Sequence, residues 1–366
     1  MRRDEIPTPA LLLDLPRFEA NVQALADYCK KSGCGFRPHA KTHKCPEIAR
    51  RQIASGALGV CVATVPEAEA MVAAGIRGVL LTSPLGERSK TARMAALAQK
   101  GGVMLSLSSA EGANLLDASA SAADVRIDVL IDLDVGDQRT GVSPGTQALE
   151  LAKHIARCKH LRLRGLQAYA GHASHTVGFE ARAKRSRDAM GQAIATRDLL
   201  RRERFEIEIV SGGSTGTYNI DSSIAGVTEL QVGSYVFMDA DYRRIGGRSG
   251  DVYDDFQPSL TVLSTVVCAS RDDRVTIDAG TKAFATDVSS RPEAVGRDGL
   301  VYQRFGDEFG SLTAGAGGKL PRLGERVEFI VPHCDPTVNL YDRIYAMRGD
   351  RVEGEWPILA RRENVS

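Results

Sequence analysis

The chain has 366 residues, 43% hydrophobic and 25% charged, which is an ordinary globular balance with material for more than one buried core. Its 47 basic and 46 acidic residues leave a formal net charge of +1, excluding the polybasic field that drives binding to nucleic acid or to an anionic membrane. The seven cysteines are odd in number, contain no CxxC pair and read as reduced thiols; no signal-peptide core follows Arg2 and Arg3, so the cytoplasm is the expected compartment.

From Pro7 to Leu15 the residues read as a short extended run, and Pro16 suits the first turn of a helix with Phe18, Val22, Leu25 and Tyr28 among its apolar positions. A rhythm then sets in. β-prone runs recur near 34–38, 58–62, 78–82, 102–107, 125–133, 161–169, 206–211 and 228–233, alternating with helical segments such as Pro46–Ser55, Pro66–Ala74, Ser89–Lys100, Gly145–Arg157 and Phe179–Arg204. This alternation predicts a parallel sheet, and eight strands with eight crossovers predict a (β/α)8 barrel over residues 16–240. An open doubly wound sheet competes with it, because both architectures bury parallel strands as continuous apolar runs. Past Asp241 the β-runs Leu260–Ala269, Arg274–Asp278, Arg326–Val331 and Arg343–Met347 lack long helices between them, which predicts a mainly β domain built from 1–15 and 241–366. The 285–322 stretch, rich in Gly, Pro and charge, is expected to be a long loop or ragged hairpins.

Reactive groups of a parallel barrel sit at the carboxyl ends of its strands, and the candidates fall there repeatedly. After the first strand comes Arg37-Pro38-His39-Ala40-Lys41-Thr42-His43-Lys44. Crowding by Arg37, His39, His43 and Lys44 would favour the free amine of Lys41, the form that makes an imine, and the obvious electrophile is pyridoxal phosphate; a merely basic loop is the alternative. Arg139 follows the fifth strand, and Gln167, Tyr169, His172 and His175 follow the sixth. Ser211-Gly212-Gly213-Ser214-Thr215-Gly216-Thr217 follows the seventh and Gly233-Ser234-Tyr235 the eighth, where converging backbone N–H groups and hydroxyls suit a phosphate. Finally, if His333-Cys334-Asp335 were extended, residues i and i+2 would share a face, and imidazole and carboxylate could hold Mn²⁺, Mg²⁺ or Zn²⁺ or simply bond each other.

RPHAKTHKCPEI at 37–48 resembles the cofactor-lysine segment of D-threonine aldolases, within the fold-type III pyridoxal-phosphate enzymes that include alanine racemase, D-serine dehydratase and 3-hydroxy-D-aspartate aldolase. DVGDQRTGV at 134–142, GLQAYAGHASH at 165–175, SGGSTGT at 211–217, ELQVGSYVFMDADY at 229–242 and HCDPTVNLYD at 333–342 extend the resemblance over most of the chain. It implies that Lys41 carries the cofactor and Arg139 approaches its phenolic oxygen. It also implies that Gly213, Ser214, Thr215, Gly233 and Ser234, with Tyr235 beside them, cradle its phosphate, and that Gln231 takes the position beside the pyridine nitrogen. Tyr169 and His175 match active-site positions, His175 as a proton-transfer group, and His333 with Asp335 match a metal pair for which Mn²⁺ leads over Mg²⁺ and Zn²⁺. The implied activity is aldol cleavage of a β-hydroxy-D-amino acid by a homodimer. A dehydratase, which usually has cysteine where Asp335 stands, and a non-catalytic pyridoxal-phosphate carrier are the alternatives. Glu308-Phe309-Gly310, Ala63-Thr64 and Ser83-Pro84 depart from the aldolase pattern and bear on the side chain accepted at Cβ.

Overall fold

The computed structural model describes residues 1–361. β1 (Ala10–Asp14) and α1 (Leu15–Ser32) open the chain, with Pro16 as the second residue of the helix, where its missing N–H costs nothing. By contact density the chain divides into one unit of Leu25–Gly233 and another of Met1–Ala24 with Ser234–Leu359.

In the first unit eight parallel strands follow, β2 (Gly35–Phe36), β3 (Val60–Val62), β4 (Val79–Leu81), β5 (Val103–Leu107), β6 (Ile127–Asp132), β7 (Leu161–Ala168), β8 (Ile209–Gly212) and β9 (Glu229–Leu230). Between them run α2 (Pro46–Ala54), α3 (Val65–Ala73), α4 (Arg88–Gln99), α5 (Ala110–Ala122), α6 (Thr146–Ile155), α7 (Gly171–Ser174), α8 (Phe179–Arg202) and α9 (Tyr218–Asp221). The strand order is β2-β9-β8-β7-β6-β5-β4-β3, and a parallel bridge between His39 and Cys61 joins its two ends. Leu58 N–H on Phe36 O (2.9 Å) and Cys61 N–H on Pro38 O (2.8 Å) complete that seam. The sheet therefore closes as a (β/α)8 barrel, and the open alternative falls. The neighbouring pair β3 and β4 needs a close backbone approach at its start: a Cβ on Gly59 would lie 2.1 Å from the Gly78 carbonyl oxygen. Every residue of β3 and β4 is buried, as expected of strands covered on both faces.

The second unit is mainly β. It contains α10 (Ala240–Arg243), β10 (Leu260–Cys268), β11 (Arg274–Ile277), β12 (Glu293–Ala294), β13 (Leu300–Arg304), β14 (Gly310–Ala314), β15 (Arg326–Ile330), α11 (Cys334–Val338), β16 (Arg343–Arg348) and β17 (Arg351–Pro357). The sheet runs β13-β14-β11-β10-β1-β16-β17, with β15 also on β10 and β12 on β15. β1 sits centrally, antiparallel to β10 and parallel to β16. Two segments differ from the sequence expectation. Within 285–322 lies a regular hairpin, β13–β14, because Tyr302 and Leu312 point inward and Tyr302 joins Phe284 and Phe329 in an edge-on aromatic cluster with centroids 5.2–6.0 Å apart. β17, unanticipated, alternates exposed and half-buried residues along its length, so no continuous apolar run announces it.

Candidate active site

Lys41 lies in a short 3-10 turn, Ala40–Thr42, directly beyond β2, and is half-buried. His39 and His43 shape this turn. His39 Nδ1 accepts the Lys41 N–H (3.4 Å) and His43 Nδ1 accepts the Cys45 N–H (3.0 Å), so each ring has an unprotonated Nδ1 and is neutral. The remaining His39 nitrogen, Nε2, bonds Thr82 Oγ1 at 3.2 Å.

The two permanent cations expected to crowd Lys41 are spoken for. Arg37 makes a two-pronged pair with Glu229 on β9, both contacts 3.0 Å, and donates to the carbonyls of Leu58 (3.2 Å) and Gly78 (2.6 Å), which precede β3 and β4. Its guanidinium thus faces the amino ends of those strands, away from the end that carries Lys41. Burial works against its charge, but Glu229 outweighs burial and holds its pKa above the ordinary value. Lys44 donates to the Lys41 carbonyl (2.7 Å) and sits 3.4 Å from buried Glu67. The octapeptide is therefore charge-compensated, a correction to the crowding expected from its sequence.

A buried polar network crosses the barrel interior. Gln167 on β7 donates to Asp132 Oδ1 (2.8 Å) and Thr82 O (2.9 Å), and its Oε1 accepts from Ser106 (3.0 Å) and Gln231 (3.3 Å), whose Nε2 also donates to Ser211 (2.9 Å). Burial, opposed by Gln167 and Thr140, raises the Asp132 carboxyl pKa. In the β6–α6 loop the Arg139 guanidinium lies over the Tyr169 ring, 5.3 Å from its centroid. Asp137 accepts from Gly171 N (3.1 Å) and His172 N (2.7 Å) and bonds His172 Nδ1 (3.0 Å), fixing the start of α7. His172 is thereby committed to the loop, while His175 caps the carboxyl end of the same helix.

The turn after β8 is braced from below. Ser214 N–H and Ser214 Oγ both reach Thr217 Oγ1 (3.0 Å each), and Thr217 Oγ1 donates to Asp221 Oδ2 (2.5 Å). Ser186 on α8 donates to the other Asp221 oxygen, and Arg182, one helical turn earlier and fully buried, donates to Gly216 O (2.8 Å). Gly213, at φ +75°, could not take a side chain without meeting Asp221 Oδ2 at 3.0 Å. Burial pushes the Asp221 carboxyl up to about 6, against the two hydroxyl bonds that lower it. Folded Asp221 thus holds its proton more tightly than the unfolded residue at 3.8, so its contribution to stability falls as pH rises from about 4 through about 6, by about 3 kcal/mol. Thermal unfolding across that window should show the slope in the wild type and lose it in Asp221→Asn; parallel curves would contradict the assignment.

These residues fit a phosphorylated cofactor. Ser214, Thr215 and Thr217 are buried hydroxyls around a glycine turn, and Thr42 Oγ1, beside Lys41, is buried with no hydrogen-bond partner among the described residues. A Cβ on Gly233 would stand 2.6 Å from that same oxygen. Ser234 begins a second turn, Ser234–Val236, where the Tyr235 ring is fully buried edge-on against Phe256 (5.5 Å), so Tyr235 could serve a ligand through its backbone alone.

In the β unit His333 precedes α11 as its extended N-cap residue, and Asp335 lies inside the helix. The i, i+2 argument for an extended strand therefore does not hold here; helix initiation turns the chain, while Cys334 is buried and its N–H bonds Asp239 Oδ2 (2.9 Å). Sequence reasoning missed Asp287, whose Oδ2 lies 2.7 Å from His333 Nδ1, so that a metal, were one bound, would meet Nε2. No motif marks it. Burial opposes the His333 imidazolium, yet Asp239, Asp335 and Asp287 outweigh burial and raise its pKa. The same negative surroundings suit a divalent cation. The described residues hold no group of three or more His, Cys, Asp or Glu placed for a metal, so imidazole and carboxylate would be completed by water. Asp287→Asn is expected to weaken Mn²⁺ binding about 10- to 100-fold in a chelator competition titration; an unchanged constant would remove Asp287 from the site.

Residues 13–241 match the alanine racemase N-terminal domain, and 259–347 match a putative serine dehydratase domain. The chain is 37% identical to a D-threonine aldolase of Arthrobacter sp, covering 97% of this chain and 93% of that one. It is 35% identical to a 3-hydroxy-D-aspartate aldolase of Paracoccus denitrificans, covering 99% and 94%. The crystal structure of D-threonine aldolase from Filomicrobium marinum superposes with a TM-score of 0.94 at 38% identity, over 98% of this chain and 96% of that one.

Proposed function

Because this chain belongs to the alanine racemase-like fold-type III family, among the lyases that include D-threonine aldolase and 3-hydroxy-D-aspartate aldolase, we propose that it cleaves β-hydroxy-D-amino acids to glycine and an aldehyde. That it is a carbon–carbon lyase follows from near full-length similarity to those enzymes. The observation that carries the finer reading is the barrel mouth, where Lys41, the unpartnered Thr42 hydroxyl and the Gly213–Thr217 turn lie at strand ends.

Lys41 would hold pyridoxal 5'-phosphate, the Gly213, Ser214 and Thr215 turn with Gly233 and the Ser234 and Tyr235 backbone would take its phosphate, and Gln231 would face its ring nitrogen. When bound, that cofactor supplies the electron sink for the pair left on Cα as the Cα–Cβ bond breaks. Arg139, steadied by its stack on Tyr169, contributes a fixed positive charge at the mouth. His175 accepts the β-hydroxyl proton as that oxygen becomes the aldehyde carbonyl. His333 and Asp335 would hold a divalent cation, Mn²⁺ ahead of Mg²⁺ or Zn²⁺, which lowers the pKa of that hydroxyl.

The reading extends to a homodimer of the cytoplasm, supported by the family likeness and by seven free cysteines. No helix of the described residues is long and apolar enough to cross a membrane. A second reading, dehydration to a 2-oxo acid and ammonia, is favoured by the serine dehydratase match over 259–347 and opposed by Asp335. Supplying D-threonine and 3-hydroxy-D-aspartate beside their L-enantiomers tests the proposal: glycine should appear from the D forms alone, and turnover of the L forms would count against it.

A further inference from the structure

Three oxygens form a chain beneath the turn after β8: Ser214 Oγ to Thr217 Oγ1 at 3.0 Å, and Thr217 Oγ1 to Asp221 Oδ2 at 2.5 Å. Each hydroxyl has one hydrogen to give, so the state of Asp221 fixes the direction of the whole chain. While Asp221 is ionised it can only accept; Thr217 donates to it, and Ser214 must donate to Thr217. Ser214 then turns lone pairs, not a hydrogen, toward anything seated in the turn. With a proton on Asp221 the direction reverses. Asp221 donates to Thr217, Thr217 donates to Ser214, and the Ser214 hydrogen is freed for an incoming acceptor. Thr217 keeps the Ser214 N–H (3.0 Å) in both states, and Ser186 keeps the other Asp221 oxygen, so the reversal needs no backbone movement.

We propose that Asp221 is a positioning residue that takes up a proton when a phosphate monoester enters the Gly213–Thr217 turn, reversing this hydrogen-bond chain so that Ser214 donates to the phosphate. The proposal rests on the cofactor reading above. A phosphate monoester carries close to two negative charges near neutral pH and offers only acceptors, so it favours the neutral carboxyl and the outward donor together. The surroundings of Asp221 agree. Its side chain is 1% exposed, and among the described residues no cation acts to keep it ionised: α8 contributes Ser186, the segment before β2 contributes the Cys34 thiol, which burial pushes up to about 11, and Glu229 on β9 is paired with Arg37. Arg182, one helical turn before Ser186 on α8, is directed at the carbonyls of Gly216 and Thr176. Burial also raises the Asp221 carboxyl to about 6, low enough to ionise in the empty turn at neutral pH and high enough to be reprotonated by a bound anion.

The test is calorimetric binding of pyridoxamine 5'-phosphate to cofactor-stripped full-length protein, with pyridoxamine as the control without phosphate. Its amine makes no imine with Lys41. At pH 7.5, in two buffers of different ionisation enthalpy, the wild type is expected to take up close to one proton per phosphate ligand, and Asp221→Asn none of this proton. Asparagine can donate to Thr217 and accept from Ser186, as the neutral acid does. The ratio of wild-type to Asp221→Asn dissociation constants should therefore rise toward tenfold per pH unit between about 6.5 and 8, and Thr217→Val should also lose the proton uptake. A ratio flat with pH, or a wild type that binds the phosphate ligand without taking up a proton, overturns the proposal. If the wild type binds the phosphate ligand no better than pyridoxamine, the cofactor reading itself fails.

Discussion

Lys41→Ala is expected to yield folded protein that neither retains pyridoxal phosphate through purification nor cleaves a β-hydroxy-D-amino acid, with activity down at least about 1000-fold. Folding should survive because the Ala40–Thr42 turn is made by backbone bonds and by the His39 and His43 rings, none of which needs the Lys41 side chain. Activity should not survive, because the neighbouring amine, that of Lys44, is otherwise engaged with the Lys41 carbonyl and Glu67, while Arg37 is a guanidinium held by Glu229 at the far ends of the strands. Near-ultraviolet absorption of the purified variant, with thermal unfolding as the control for folding, checks this. Absorption like that of the wild type in Lys41→Ala would place the cofactor on another group.

His333→Ala carries the second large effect. The loss should be about 1000-fold, the several kcal/mol that a metal contributes when it stabilises charge on a reacting oxygen. The fold around it should hold, since Thr337 Oγ1 bonds the His333 carbonyl (2.7 Å) and Asp239 bonds the Cys334 N–H, interactions that a shortened side chain leaves intact. Asp335→Ala should fall similarly, and a chelator should bring the wild type down to the level of both variants. If chelation leaves the wild-type rate unchanged while His333→Ala is slow, the imidazole acts without a metal.

Much of this arrangement is legible in residue order because parallel strands buried on both faces must be short apolar runs, and the helices between them carry their own periodicity. Barrel closure is not legible, since it depends on His39 meeting Cys61 where the two end strands of the sheet come together. The charge on the lysine octapeptide misleads for a similar reason. Glu229, which neutralises Arg37, stands 192 residues along the chain and reaches it through β9. Local motifs announce Lys41 and the glycine turn, whereas their supports are single carboxylates on other elements. Asp287 lies 46 residues from His333 in an irregular segment, and Asp221 looks like any acidic residue of a short helix until its burial against Thr217 and Ser186 is seen. The His333-x-Asp335 spacing was read with the wrong geometry, because a buried Asp239 accepts the Cys334 N–H where a helix starts in place of the extended segment expected.

The most direct test is a product balance on D-threonine with the wild-type protein, pyridoxal phosphate, and Mn²⁺ either present or chelated. Glycine and acetaldehyde in equal amounts, dependent on the metal and without ammonia, are the expected result. A 2-oxo acid with one equivalent of ammonia would contradict it, and would show that the reaction at this site is dehydration whatever residue follows His333 by two.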